Sequence, residues 1–257
     1  MDTNYNGTNL STYGFTTYGI TKPLNPQQRQ EIIDSPKRLG VEQVYKKFTG
    51  NTLIVRGVLT GTSPSNLVDK IENLSGFLYS DNDVEIIFSD QDDRYWNVQF
   101  LEPIEVKRTE SLALLDLIFT ANNPLGWAVT TDTDDQTITT LDDTFIITNS
   151  GHYYAYPVYT ITFNQAQSHI YLQNNNIPGN RIDISKSFAT NDELEIDSFD
   201  MTIRLNGTIN PIGLGDGGES KAEFPILRKS VNEMQIGSDD EDINIDIETV
   251  YRKTYLY

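Results

Sequence analysis

The sequence predicts a mainly β protein of two domains, the first carrying a single α-helix. Three observations predict it. Short runs of alternating apolar and polar residues, bounded by Gly, Pro, Asn and Asp, recur along most of the chain. Only Asn66–Leu78 has a helical period, with Leu67, Ile71, Leu74 and Leu78 at i, i+4, i+7 and i+11. A Thr/Asp stretch at 130–143 then changes the composition and marks a boundary, giving domains 1–128 and 129–257.

Ser63 fits as the N-cap of the helix, and Pro64 as its first residue, where an N–H would have no partner. One amphipathic helix cannot bury its stripe alone, so it is expected to lie on a sheet. Thr52–Leu59, Val84–Phe88, Arg94–Leu101, Ile104–Ser111 and Ser111–Ala121 supply the strands, with Glu102-Pro103 as a break between two of them. Leu112–Phe119 is nearly all apolar, so both its faces are expected to be covered.

Ahead of this unit, Phe15, Tyr18 and Ile20 suggest a short strand, and Gln27–Ile33 reads as a short helix stopped by Ser35-Pro36. The segment 21–50 holds few apolar anchors and is expected to be an arm or loop excursion rather than core.

The second half reads as a β-sandwich or jelly roll of short strands. They are Thr137–Leu141, Phe145–Thr148, Val158–Phe163, His169–Gln173, Arg181–Ser185, Glu193–Asp197, Met201–Leu205, Ile243–Ile247 and Val250–Leu256. Asn206-Gly207 is a strong two-residue hairpin turn.

A net charge of −18 over 257 residues leaves no basic footprint, which argues against sequence reading or tight backbone binding of nucleic acid. Without cysteine there is no disulfide, thiolate metal site or cysteine nucleophile. The N-terminus lacks the basic and apolar regions of a secretory signal, and no apolar run reaches the roughly 20 residues of a membrane helix.

No motif carries chemistry. Gly213-Leu214-Gly215-Asp216-Gly217-Gly218 has G-x-G-x-x-G spacing, but Pro211 precedes it and Pro225 follows, so a loop is expected rather than a dinucleotide site. Ser238-Asp239-Asp240-Glu241-Asp242 lacks EF-hand spacing and reads as a solvated loop, as does Asp90-Gln91-Asp92-Asp93. His152 and His169 have no third ligand and form no triad pattern. The cluster Tyr153-Tyr154-Ala155-Tyr156 suits a core or a subunit interface better than a sugar platform. Catalytic, cofactor-binding and metal residues are therefore all expected to be none.

Several stretches together carry a family resemblance. The first is the order helix, strand Val84–Phe88, acidic turn and three strands ending at Asn123-Pro124. The second is Asn149-Ser150-Gly151 followed by Pro157-Val158-Tyr159-Thr160-Ile161. The third runs through Gly179–Ile184, Asn191–Asp197 and Met201–Gly207, and the fourth is the final Val250–Leu256. From about Thr52 to Tyr257 the chain resembles the distal tail proteins of long-tailed bacteriophages. Its segment 21–50 is longer and more polar than the family pattern.

The resemblance implies an N-terminal ring-forming domain that assembles as a homo-hexamer, followed by a galectin-like β-sandwich without an inserted carbohydrate module. Such a ring joins the tail tube protein to the tail-tip hub protein and anchors receptor-binding proteins. DNA only passes through its lumen. The implied protein is a structural component of the virion tail tip, made in the host bacterial cytoplasm, with no enzymatic activity, cofactor or membrane insertion. The alternative from the residues is a carbohydrate-binding β-sandwich recognising bacterial surface sugars, which exposed aromatics on one sheet face would favour. A glycoside hydrolase stands third, since no acid pair can be nominated.

Overall fold

The computed structural model describes residues 2–23, 28–34, 41–209 and 223–256. The chain divides into two compact units, Met1–Val129 with Tyr255–Tyr257, and Thr130–Thr254.

In the first unit, β1 (Thr3–Tyr5), β2 (Thr8–Asn9) and β3 (Phe15–Thr21) precede β4 (Gln28–Asp34) and β5 (Val41–Phe48). Then come β6 (Asn51–Thr60), α1 (Pro64–Leu78), β7 (Val84–Phe88), β8 (Gln91–Arg108), β9 (Leu112–Ala121) and β10 (Gly126–Ala128). The main sheet is antiparallel, in the order β2-β1-β7-β8-β9-β6-β3.

Helix α1 forms as its sequence demands. The Ser63 side chain accepts the Asn66 N–H at 3.2 Å, and Leu67, Leu74 and Leu78 are buried while Ile71 packs against the same core. Each such leucine contributes roughly 1.5–3 kcal/mol of burial. The Tyr5 hydroxyl ties the helix C-terminus to β1 by donating to the Leu78 carbonyl at 2.9 Å, and burial pushes its pKa up to about 12.

Glu102-Pro103 does not end a strand. β8 runs on through it, with shifts of register against β9 on both sides of this dipeptide. Pairing with β7 stops at Val98, so Pro103 lies where the ladder needs no N–H on that side. A second correction concerns Gln27–Ile33. Gln28–Asp34 is a strand, paired antiparallel with Val41–Phe48. The third concerns β9, of which only one face is buried. Ala113, Leu115, Leu117, Phe119 and Ala121 point into the core, whereas Leu114 on the other face is 41% exposed.

The second unit is a sandwich of two antiparallel sheets. Its strands are β11 (Asp132–Ile138), β12 (Asp143–Asn149), β13 (Val158–Phe163), β14 (Gln167–Asn174) and β15 (Arg181–Phe188), followed by β16 (Glu193–Asp197), β17 (Thr202–Leu205), β18 (Thr208–Ile209), β19 (Ser230–Gly237) and β20 (Ile245–Tyr251). One sheet has the order β11-β20-β13-β16-β17-β18 and the other β12-β19-β14-β15. Strict alternation fills the space between them, as where Ile245 and Ile247 point in while Asp246 and Glu248 point out. Phe163 and Phe188 stack across the core, with ring centroids 4.2 Å apart.

Two features depart from expectation here. The Thr/Asp stretch is a strand, β11, whose residues from Asp132 to Thr137 are all at least partly exposed, as befits an acidic edge. β19 lies between β12 and β14, at a place where the sequence pattern predicts no strand.

Candidate functional site

The residues that sequence reasoning weighed for chemistry do not converge. His169, almost buried on β14, accepts the Asp239 N–H at Nδ1 (3.2 Å) and has Asp183 Oδ1 3.7 Å from Nε2. Its two nitrogens are thus engaged on opposite sides, which suits a structural peg. His152 donates its N–H to the Thr254 carbonyl at 2.7 Å. Among the described residues no group of three or more His, Asp or Glu could hold a metal ion. The motif at 213–218 lies outside the described residues.

The loop Ser238–Asp242 is tied to β14 rather than merely solvated. Asp240 accepts the Ser168 hydroxyl at 2.6 Å and the Ser168 N–H at 2.7 Å, and these bonds hold its carboxyl below the usual range. Of the expected loop Asp90–Asp93 only Asp90 lies in the turn; Asp93 is in β8, where the hydrogen bond from Arg94 similarly lowers its pKa.

The outer face of the six-stranded sheet is a shallow depression of carboxylates and hydroxyls. One row across the strands reads Thr137, Asp246, Thr162, Glu193, and the next Asp135, Glu248, Thr160, Glu195, Arg204. No aromatic ring stands in either row. On the other sheet Tyr171 faces outward but is covered. The Arg181 guanidinium lies 3.8 Å from its ring centroid, its hydroxyl donates to Asp142, and burial first and Asp142 second push its pKa up to about 12. In the second unit the exposed aromatics among the described residues, Phe199 at 54% and Tyr154 at 36%, lie on connections between strands. Neither sheet face therefore offers the stacking platform a sugar site needs.

Four buried asparagines, Asn149, Asn174, Asn180 and Asn232, have structural roles that the sequence reading did not assign. Residues 223–229 have no regular ladder beyond a bridge between Leu227 and Ala155 and a bond from the Glu223 N–H to the Arg181 carbonyl, and side chains hold several of the remaining backbone groups. Asn180 donates to the Phe224 carbonyl (2.9 Å) and accepts the Ile226 N–H (2.9 Å). Asn174 donates to the Ile226 carbonyl (2.7 Å) and Asn149 to that of Leu227 (3.2 Å). Ser198 and Tyr159 both donate to the Pro225 carbonyl. Asn232, wholly buried, accepts from Arg228 N–H and Asn174 Nδ2 while donating to three carbonyls. The available signal was asparagine inside β-patterned runs, where its propensity is low.

The first unit leaves two surfaces open among the described residues. The β4–β5 hairpin pairs with no other described strand. On the face of β6 and β9 away from the core, Leu114 stands opposite Val58 and Ile118 opposite Ile54. Between them Arg56 and Asp116 form an ion pair at 3.3 Å. Lys22 is held under Phe88 and Trp96 by Asp90 (3.1 Å) and Gln91 (2.6 Å).

Comparison with known proteins bears on this arrangement. Residues 8–121 match a family described as a phage tail protein RIFT-related domain, and residues 150–255 one described as a siphovirus-type tail component, C-terminal domain. No curated protein matches the sequence. Among solved structures, the crystal structure of the SPP1 Dit protein, which its authors call a paradigm of hub adsorption apparatus in phages infecting Gram-positive bacteria, superposes with a TM-score of 0.80. The two share 15% identity, over 99% of this chain and 99% of that one. A chain of the phage P2 baseplate, in its activated conformation with calcium, is more distant, with a TM-score of 0.42 and 12% identity over 96% of this chain and 93% of that one.

Proposed function

This chain belongs to the siphovirus-type distal tail proteins, and we propose that it is a non-enzymatic ring component of the tail tip. In this reading six copies close into a ring that joins the tail tube to the tail-tip hub and anchors receptor-binding proteins. The observation that carries it is the order of the two tail-protein domains along the chain, together covering residues 8–121 and 150–255.

The open surfaces of the first unit suit the role. A ring needs a head-to-tail contact in which two different patches meet and the rotation closes. The β4–β5 hairpin and the outer face of β6 and β9 are two such different patches on one copy. An isolated two-stranded hairpin is marginal in water, so a neighbouring copy would supply what its own chain does not. The excess of 37 acidic over 19 basic residues would keep passing DNA from adhering if carboxylates line the lumen.

Light scattering after size exclusion, across a range of concentrations, tests the ring. Six copies of the 29.1 kDa chain would weigh about 175 kDa. Replacing residues 28–48 by a short flexible linker should abolish that species and leave a folded monomer, because Thr21 and Ile54 are already neighbours in the sheet. A monomer at every concentration, or a ring that forms without the hairpin, would refute this reading of the assembly.

A further inference from the structure

The tripeptide Asn-Gly-Thr occurs twice, at residues 6–8 and 206–208. Each copy closes a two-residue hairpin, with Tyr5 opposite Thr8 in one and Leu205 opposite Thr208 in the other. The φ angles of the two turns nearly coincide. Both asparagines have φ of +50°, and the glycines follow at +76° and +72°. Asn and Gly are exposed in both turns, so accessibility does not separate them.

The side chains separate them. Asn206 Nδ2 donates to Asp192 Oδ1 at 2.9 Å, and its Oδ1 accepts the Glu193 N–H at 2.9 Å. Asp192 is in turn fixed by accepting the Ala189 N–H at 2.7 Å. The Asn6 carboxamide makes no hydrogen bond among the described residues. Only its backbone is held, the N–H donating to the Glu85 carbonyl at 2.9 Å.

We propose that Asn6 is a site of spontaneous deamidation, and that Asp192 and the Glu193 N–H protect Asn206 from the same reaction. Glycine is the residue that least shields its own nitrogen from the side chain before it. The deprotonated Gly7 nitrogen attacks Asn6 Cγ. That N–C bond forms, the bond from Cγ to the side-chain nitrogen breaks, and the nitrogen leaves as ammonia. Water then opens the five-membered imide at either carbonyl, giving aspartate or isoaspartate.

The attack needs the Asn carboxamide to swing over the next peptide. At Asn206 this breaks two hydrogen bonds, one to a charged acceptor, so Asn6 is expected to react faster by roughly tenfold or more. The consequence is local to the sheet edge formed by β1 and β2. Either product puts a new negative charge beside the Glu85 strand, and isoaspartate adds a backbone atom to a two-residue turn whose length sets the pairing of Tyr5 with Thr8.

The test is peptide mass mapping of the full chain during incubation at mildly alkaline pH, with isoaspartate scored separately from aspartate. Expected is conversion at Asn6 well ahead of Asn206, abolished at that turn by Asn6→Gln. In the chain unfolded by urea the two sites should convert at the same rate, since the tripeptides are identical. Asp192→Ala should raise the Asn206 rate toward that of Asn6 and leave Asn6 unchanged. Equal rates in the folded chain, or an Asn6 that stays intact while the urea-unfolded site converts, would overturn the assignment of Asn6. An Asn206 rate unmoved by Asp192→Ala would overturn the protective role of Asp192.

Discussion

Two excursions from β cores, one in each unit, solve the same problem in opposite ways. The β4–β5 hairpin satisfies its backbone with its own ladder and pairs with no other described strand. Residues 223–229 have almost no ladder, and side chains of their own sandwich answer several of their polar groups. Both obey the rule that backbone donors and acceptors must be paired. The difference is in what is left over. The hairpin and the adjoining face of β6 and β9 leave surface for a neighbour, while the pinned segment seals the second unit upon itself. Assembly contacts are therefore sought in the first unit and intrinsic stability in the second.

The largest break in this comparison should come from Asn232. Asn232→Ala strands the Arg228 N–H and Asn174 Nδ2 in a buried site and should cost about 3–5 kcal/mol. Both tryptophans, Trp96 and Trp127, lie in the first unit, so their fluorescence follows that unit while far-UV circular dichroism follows both. The loss should show in dichroism at lower denaturant, with the fluorescence midpoint unmoved. A shift of both midpoints together would mean that the units unfold as one.

The mirror experiment is Gly57→Ala. A methyl at Gly57 would collide with the Phe15 ring, and an overpacked core of this kind loses about 2–3 kcal/mol. Here the fluorescence midpoint should move. A stability change below ~0.5 kcal/mol would show that Phe15 can step aside.

Ser63→Ala should cost about 1 kcal/mol through loss of the helix cap, again in the first unit. An unchanged fluorescence midpoint would mean that packing of the leucine stripe alone fixes the helix start.

The gentlest effect is acid. Asp192, Asp240 and Asp246 in the second unit have lowered pKa values, held down first by side-chain hydrogen bonds from Asn206, Ser168 and Asn164. In the first unit Asp93 is lowered in the same way, first by the side-chain hydrogen bond from Arg94. A depressed folded pKa contributes stability that is full above the ordinary value of 3.8 and is lost as pH falls below it through the folded value. These groups lie at the surface, Asp93 and Asp246 exposed and Asp192 and Asp240 half-buried, so each contribution is small, but the second unit holds three of them. Dichroism should therefore begin to fall at higher pH than tryptophan fluorescence in an acid titration. The reverse order would count against the carboxylate hydrogen bonds as the more acid-sensitive set.

How much of this was legible depended on whether the physics was local. Helix α1 was readable down to Ser63 and Pro64, because period, cap and first-turn proline all lie within one short window. The Asn206-Gly207 turn was readable for the same reason. Strand β19 was not. Its inward positions are Asn232, Met234 and Ile236, with Val231 outside at 46% exposure, so one polar residue in and one apolar residue out erased the alternation. Gln28–Asp34 misled because helix-friendly residues there join a strand whose partner, Val41–Phe48, lies further along the chain, past Ser35-Pro36. Leu114 and Ile118 misled differently: a run apolar on both faces says that both could be covered, and within this chain only one is.

By itself, then, the sequence determined the mainly β class, the single helix, most strand positions and the family, since each rests on short-range periodicity, turn chemistry or the order of motifs. Tertiary structure decided which face of each strand is buried, how β8 bends past Pro103, and that four asparagines hold an irregular segment in place. It also decided that two identical Asn-Gly-Thr turns have different surroundings. Those outcomes depend on groups brought together from distant parts of the chain, and no local pattern records which groups will meet.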